Sequence, residues 1–175
     1  MILSDKDILT LIETEKMNIY PQVQREQIGP TSIDLHLGNC LLKYTDDEIV
    51  LGESYPKASE ILLDKDKGYC LMPNEFVLAC TLEKVEIPNG YQGFIETKGD
   101  IARAGIQVHN ADGHIDPGSN HTITLEIKNN NNIPIKIFPQ ILICQIFIHK
   151  LTSECAFPYK GKYYGQEKPS LYRPK

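Results

Sequence analysis

The segment FIETKGDIARAGIQVHNADGHIDPGSNHTITLEI, Phe94 to Ile127, gathers the residues whose types and spacing could do chemistry. Thr122 to Ile127 alternates, with Ile123, Leu125 and Ile127 facing one way and Thr122, Thr124 and Glu126 the other. A carboxylate on such a strand, close to a turn that exposes backbone amides and Asp116, is placed for proton transfer. The same pattern also describes a glutamate on the wet face of an ordinary strand. Upstream, Lys98-Gly99-Asp100 and Arg103 form a charged, glycine-bearing loop. Gly99 lets backbone approach a ligand closely, and Lys98 and Arg103 could neutralise phosphate oxygens. The alternative is a charged turn between two strands. His109, His114 and His121 match no metal-site spacing, and the zinc deaminase pattern His-x-Glu with Pro-Cys-x-x-Cys is absent. No zinc and no metal held by protein side chains is expected. Phosphate loops and a serine-hydrolase elbow are also missing.

Many short strands must position these groups. Ser4 and Asp7 resemble a capping box, and Ile8, Leu11 and Ile12 recur at helical spacing, so a helix is expected over about Asp5 to Lys16. Strands are expected over Ser32–Leu37, Phe76–Ile87, Phe94–Ile95, Ile106–Val108, Thr122–Ile127 and Ile133–His149. Gly29-Pro30, Met72-Pro73-Asn74, Pro88-Asn89-Gly90 and Asp116-Pro117-Gly118 separate them. The run Asn129 to Asn132 reads as a tight hairpin connection. One leading helix and many strands mean a mostly-β barrel or sandwich. Residues 1–175 suit one domain, and residues 159–175 form a polar, basic and aromatic terminal segment. That segment is either solvated or folded over an anionic ligand; Lys160, Lys162, Lys168, Arg173 and Lys175 supply its charge.

A formal net charge of −5 argues against a general nucleic-acid binder but permits a small anionic substrate. The N-terminal MILSDKDILTLIETEK has no long apolar region, so it reads as a structural helix and not a signal peptide. No stretch approaches a membrane span, and a cytoplasmic protein is expected. The 5 cysteines form no CxxC pair; Cys40, Cys80 and Cys144 lie in apolar runs and read as buried, reduced thiols.

These motifs together resemble the trimeric deoxycytidine triphosphate deaminases, which share a fold with the trimeric dUTPases. The resemblance runs through MILSDKDI, IGPTSIDLHLG, LEKVEIPNGYQGFIETKGDIARAGI, HIDPGSNHTITLEIKN, ICQIFI and PYKGKYYGQ, nearly the whole chain. It implies a mainly-β, dUTPase-like distorted barrel or jelly roll with a short N-terminal helix, assembled as a homotrimer with sites between subunits. It also implies catalysis by Glu126 as general base and acid, organised by Arg103, with no metal needed to activate the water. The backbone at Asn110-Ala111 would hold the attacking water, and Asp116 would accept from the sugar 3′-hydroxyl. Substrate contacts would come from Lys98, Gly99, Asp100, Ile101, Ala102, Arg103, Ala111, Thr124, Leu125 and Gln145. Tyr159, Lys162 and Gln166 belong to the segment that closes over the nucleotide. Magnesium would arrive on the nucleotide phosphates.

One departure stands out: Lys98-Gly99-Asp100 replaces the family's Arg-Ser-Ser. A lysine cannot reproduce the bidentate fork of an arginine, and a carboxylate repels phosphate unless a cation intervenes. The main expectation is deamination of dCTP to dUTP and ammonia. The alternatives are a bifunctional dUMP-forming enzyme, a dUTP diphosphatase, a deaminase for a less phosphorylated or modified cytosine nucleotide, or a non-catalytic nucleotide-sensing trimer. On the product the sequence is divided. The loop from His109 to Ile115 has the longer form of deaminase-only members, whereas Asn110-Ala111 and Ile143-Cys144-Gln145 look like the bifunctional group.

Overall fold

The computed structural model describes residues 1–174. In chain order the elements are α1 (Asp5–Glu13), β1 (Ile19–Tyr20), a 3-10 turn (Arg25–Gln27), β2 (Ile33–His36), β3 (Cys40–Tyr44), β4 (Ala58–Leu62) and β5 (Tyr69–Leu71). There follow β6 (Phe76–Glu86), β7 (Tyr91–Thr97), α2 (Gly99–Arg103), β8 (Ile106–Gln107), β9 (His114–Ile115), β10 (Asn120–Asn129), β11 (Ile135–Ile137) and β12 (Leu142–Lys150). One sheet runs β4-β3-β6-β10-β8 with β1 on β6; a second runs β2-β12-β7-β9; β5 and β11 pair alone. The protein is mainly β, as its turn spacing requires.

Alternation explains which faces meet. Ile33, Leu35 and Leu37 are fully buried, as are Val77 and Ala79 on β6 and Ile146 and Ile148 on β12. These side chains join one contiguous core between the sheets. Each buried isoleucine or leucine contributes about 1.5–3 kcal/mol. Cys40, Cys80 and Cys144 are buried, as their apolar settings predict. Burial pushes the Cys80 thiol up to about 11, which leaves it an unreactive thiol at neutral pH.

Several boundaries differ from the sequence expectation, each for a local reason. Ser4 caps α1, its hydroxyl 3.0 Å from Asp7 Oδ2, but the helix stops at Glu13 because Glu15 takes a left-handed φ of 55°. Lys98-Gly99-Asp100 is not a loop: it opens the short helix α2, whose first turn carries Asp100 and whose last carries Arg103. Those charges suit the two ends of a helix, and Gly105, at φ 94°, turns the chain out of it. The expected strand Ile133–His149 is two strands, because Phe138-Pro139-Gln140 interrupts it and Gln140 has φ 65°. The asparagine run is not a hairpin connection, since β10 pairs with β6 and β8 while β11 pairs with β5. Buried Asn129 instead ties the segments together, donating to Leu71 O at 3.0 Å and Ile133 O at 2.9 Å. Strands β3, β4 and β5 carried no clear sequence signal; on β4 the side chains are mostly exposed.

The β6–β10 ladder positions the chemistry. From Thr122 to Thr124 the partner on β6 moves from Lys84 to Cys80, so β6 bulges there. The Thr81 hydroxyl repairs the gap, accepting from Ile123 N at 2.9 Å and donating to Glu83 O at 2.7 Å. Beyond the bulge the alternation holds: Ile123, Leu125 and Ile127 are buried, and Thr124 and Glu126 are half-buried on the opposite face. No helix among the described residues is long and apolar enough to cross a membrane.

Candidate active site

Glu126 leaves β10 into a cavity of about 770 Å³. Its wall also carries Thr124 from the same strand, Asp116 from the Asp-Pro-Gly turn, and Tyr159, Lys162 and Gln166 from the terminal segment. Tyr44, Phe76 and Leu78 form an apolar side, the two rings stacked with centroids 6.5 Å apart.

The carboxylate of Glu126 is held on one side only. Asn110 N and Ala111 N donate to Oε2 at 2.8 and 3.0 Å, and Oε1 accepts nothing from the described residues. The strand itself is fixed there, since Glu126 N donates to Val108 O at 2.7 Å. One oxygen is therefore anchored, and the other is without a partner among the described residues. Both amide donors of the Asn110-Ala111 segment are thus turned to Glu126, which brings this backbone beside the carboxylate.

Asp116 sits beside His114, whose Nε2 is 3.2 Å from Asp116 Oδ1. Gln92 Nε2 lies 2.9 Å from His114 Nδ1. An amide N–H given to Nδ1 leaves the neutral ring's proton on Nε2, facing the carboxylate. Pairing of β9 with β7, at Phe94↔His114, brings these residues together.

The terminal segment lies along the free edge of β10. Thr122 N donates to Gln166 O at 3.0 Å, and Gln166 Nε2 donates to Thr122 O at 3.1 Å and Thr124 Oγ1 at 2.9 Å. Its root packs on the turn, with Tyr159 N donating to Pro117 O at 2.8 Å. A Cβ on Gly118, at φ 84°, would lie 2.6 Å from Pro158 Cβ, so this close approach requires glycine. Lys162 is drawn toward the segment's own Arg173 carbonyl, its Nζ 5.3 Å from the Tyr163 ring centroid. Lys175 lies outside the described residues.

His121, which the sequence reading weighed only as a metal ligand, is brought to the cavity by β10. It lines the cavity at 8 % exposure, edge-on to Tyr159, and its Nδ1 is the only buried side-chain polar atom without a partner among the described residues. Burial, then the charge of Lys84, holds its pKa below the ordinary value. The signal was present: His121 is in phase with Ile123, Leu125 and Ile127, a polar side chain on a core-facing position.

The other expected site residues stand apart from this cavity. Leu125 is buried and faces the core, so only its backbone is near the site. Lys98, Gly99, Asp100, Ile101, Ala102, Arg103 and Gln145 do not line the cavity. Asp100 and Arg103 stand 86 % and 81 % exposed and 3.9 Å apart. Lys98 Nζ is 2.5 Å from Asp34 Oδ2, and Gln145 on β12 pairs with Asp34 of β2 and Glu96 of β7. No group of three or more histidine, cysteine or acidic side chains among the described residues is arranged to hold a metal ion.

The family model described as dCTP deaminase-like matches residues 2–151. A protein of Persephonella marina named a dUMP-forming dCTP deaminase is 38 % identical over 170 residues, covering 95 % of this chain and 93 % of the relative. A 2′-deoxycytidine 5′-triphosphate deaminase structure from Agrobacterium tumefaciens superposes with TM-score 0.67 at 20 % identity. It matches 85 % of this chain, which spans about half, 47 %, of that one. The dUTPase of phage phi11 of S. aureus shares the fold, at TM-score 0.53 and 13 % identity over 83 % of this chain and 97 % of that one. With the family model spanning most of the chain and this relative aligned nearly end to end, the chain belongs to the dCTP deaminase-like family.

Proposed function

We propose that this enzyme deaminates dCTP with Glu126 as its proton shuttle, and that it goes on to release dUMP. The carrying observation is the Glu126 carboxylate, anchored through Oε2 by two backbone amides in the wall of a nucleotide-sized cavity. Water adds to C4 of cytosine while Glu126 takes its proton and passes it to N3. A second proton, from the new hydroxyl, then reaches the amino group, and ammonia leaves as the C4 carbonyl forms. One anchored carboxylate can serve both transfers because its reactive oxygen stays in place between them. Asp116 accepts the 3′-hydroxyl, and Tyr159, Lys162 and Gln166 close over the nucleotide and exclude water.

Cleavage to dUMP and pyrophosphate is supported by the names of relatives at 38 % identity that align over 95 % of this chain. The longer His109–Ile115 loop favours the second reading, in which dUTP is the product. Magnesium enters with the triphosphate as part of the substrate, held by phosphate oxygens. The chain acts as one domain over residues 1–175, with 159–175 as its lid, in the cytoplasm. The exposure of Asp100 and Arg103, away from the cavity, supports a homotrimer in which α2 of one subunit completes the site of another.

The test is turnover with dCTP, dCMP, deoxycytidine and dUTP, following ammonia and pyrophosphate together. Ammonia and pyrophosphate in equal amounts from dCTP support the dUMP product, and ammonia alone supports dUTP. Pyrophosphate from dUTP with no ammonia from any cytosine substrate overturns the deaminase.

A further inference from the structure

We propose that His114 is a positioning residue that turns the Asp116 carboxylate to the sugar 3′-hydroxyl, with Gln92 holding the imidazole in the tautomer that can do so. The inference rests on the reading above, in which Asp116 accepts that hydroxyl, and deepens it by naming what aims the carboxylate.

Three side chains stand in line from the sheet to the cavity. Gln92 Nε2 is 2.9 Å from His114 Nδ1, and His114 Nε2 is 3.2 Å from Asp116 Oδ1. His114 and Asp116 line the cavity, and Gln92 stands behind them, outside its wall. The backbone under each is fixed. Gln92 pairs with His149 of β12, and His114 pairs with Phe94, the next residue on the same face of β7 as Gln92. Ile95 N donates to Gly113 O at 2.8 Å, and His114 N to Asp112 Oδ1 at 3.1 Å. Past β9, Ser119 N donates to Asp116 O at 3.1 Å and Gly118 N to Ile87 O at 2.8 Å, which closes the Asp-Pro-Gly turn.

The direction of this relay follows from its end. An ionised carboxylate can only accept, so the ring nitrogen facing it, Nε2, carries a proton. In a neutral ring Nδ1 then has a lone pair, and the Gln92 amide meets it with an N–H. The reversed amide would oppose two acceptors, or move the ring proton to Nδ1 and set a lone pair against Asp116. An aspartate in a turn is otherwise free to rotate about its last bond. A donor on Oδ1 sets that rotation and directs Oδ2, which takes the 3′-hydroxyl.

The test compares, by calorimetry with magnesium, binding of dCTP and of 2′,3′-dideoxycytidine triphosphate, which differ by the 3′-hydroxyl. A Glu126→Gln background keeps product from forming. In that background dCTP is preferred, and His114→Phe, which keeps a ring without a donor, lowers the preference about fivefold. His114→Gln, whose amide N–H reaches the place of Nε2, holds the preference within about twofold. A Phe variant with the full preference overturns the proposal, as does a Gln variant that loses as much as the Phe variant. Nitrogen NMR of labelled histidines above neutral pH finds the His114 proton on Nε2, its signal assigned by loss in His114→Phe. A proton on Nδ1 overturns the role of Gln92. No preference for dCTP while His114 is intact sinks the reading of Asp116 itself, and the proposal with it. Ammonia release from dCTP by the parent judges the deaminase reading separately, since the binding ratio needs no turnover.

Discussion

Glu126 and Arg103 are assigned to one reaction, yet the fold treats them in opposite ways. Glu126 sits on a ten-residue strand between two backbone partners, with one carboxylate oxygen held by two amides. Arg103 ends a five-residue helix, almost fully in solvent, with one weak acidic neighbour. The first arrangement is complete within a single chain and rigid, because a ladder and a loop both define it. The second gains meaning only when something covers it. A carboxylate built into the sheet is held in one place, whereas a guanidinium on an exposed short helix is free to adjust to what covers it.

The largest effect separates chemistry from binding at the first region. Glu126→Gln keeps the shape and an oxygen acceptor but cannot take a proton from water, so kcat falls by about 10³-fold. Affinity for dCTP, measured by calorimetry, stays within about threefold of the parent. A variant that still releases ammonia near the parent rate removes Glu126 from the mechanism.

The next effect tests whether the two regions serve one site from different chains. Arg103→Ala reduces kcat/KM by about 10²-fold, and its exposure means that the melting temperature is unchanged. Chains carrying Arg103→Ala and chains carrying Glu126→Gln are then unfolded, mixed and refolded. Mixed assemblies regain part of the parent activity if one chain supplies the carboxylate and its neighbour the guanidinium. Activity no higher than the sum of the two variants places both residues in one chain's site and breaks the comparison.

A smaller effect probes the cover over the first region. Gln166→Ala removes side-chain hydrogen bonds to Thr122 O and Thr124 Oγ1 and unpins the terminal segment from β10. The KM for dCTP rises about tenfold while kcat changes little, because a few ordinary hydrogen bonds are lost and the carboxylate is untouched. An equal loss in kcat would tie the segment to the chemical step instead.

The same contrast explains what the sequence disclosed. Glu126, its neighbours on β10 and the Asp-Pro-Gly turn were legible because alternation and turn chemistry are local, and the family motif covers the same residues. The bond from Ser4 to Asp7 was legible for the same reason. The grouping of Lys98 with Asp34, 64 positions away, was not, since no local pattern records which strand lies beside which. Strands β3 and β4 were missed because their charged and exposed residues blur the alternation, and Tyr44, which stacks on Phe76 of the expected strand β6, was lost with β3. Sequence also could not place α2 relative to the cavity. That placement follows from the β7–β12 ladder and the Lys98 backbone bond to Ile143, both long-range.

The smallest expected effect concerns stability and pH at the edge of the first region. His121 is buried against Tyr159 with Lys84 nearby, and both burial and that charge favour its neutral form. Its folded pKa lies below the unfolded value of 6.5, so as pH falls the unfolded chain takes up this proton first. Stability therefore declines from about pH 6.5 downward until the folded pKa is passed, and is unaffected by this group above pH 7. His121→Phe keeps an aromatic edge for Tyr159 and removes both the titration and the unpartnered Nδ1. Melting curves from pH 7.5 to 5.5 should show a shallower loss in this variant than in the parent, with no penalty at pH 7.5. Parallel curves would mean that acid sensitivity lies elsewhere. A large loss at pH 7.5 would mean that the ring's polar atom has a partner that the free chain does not reveal.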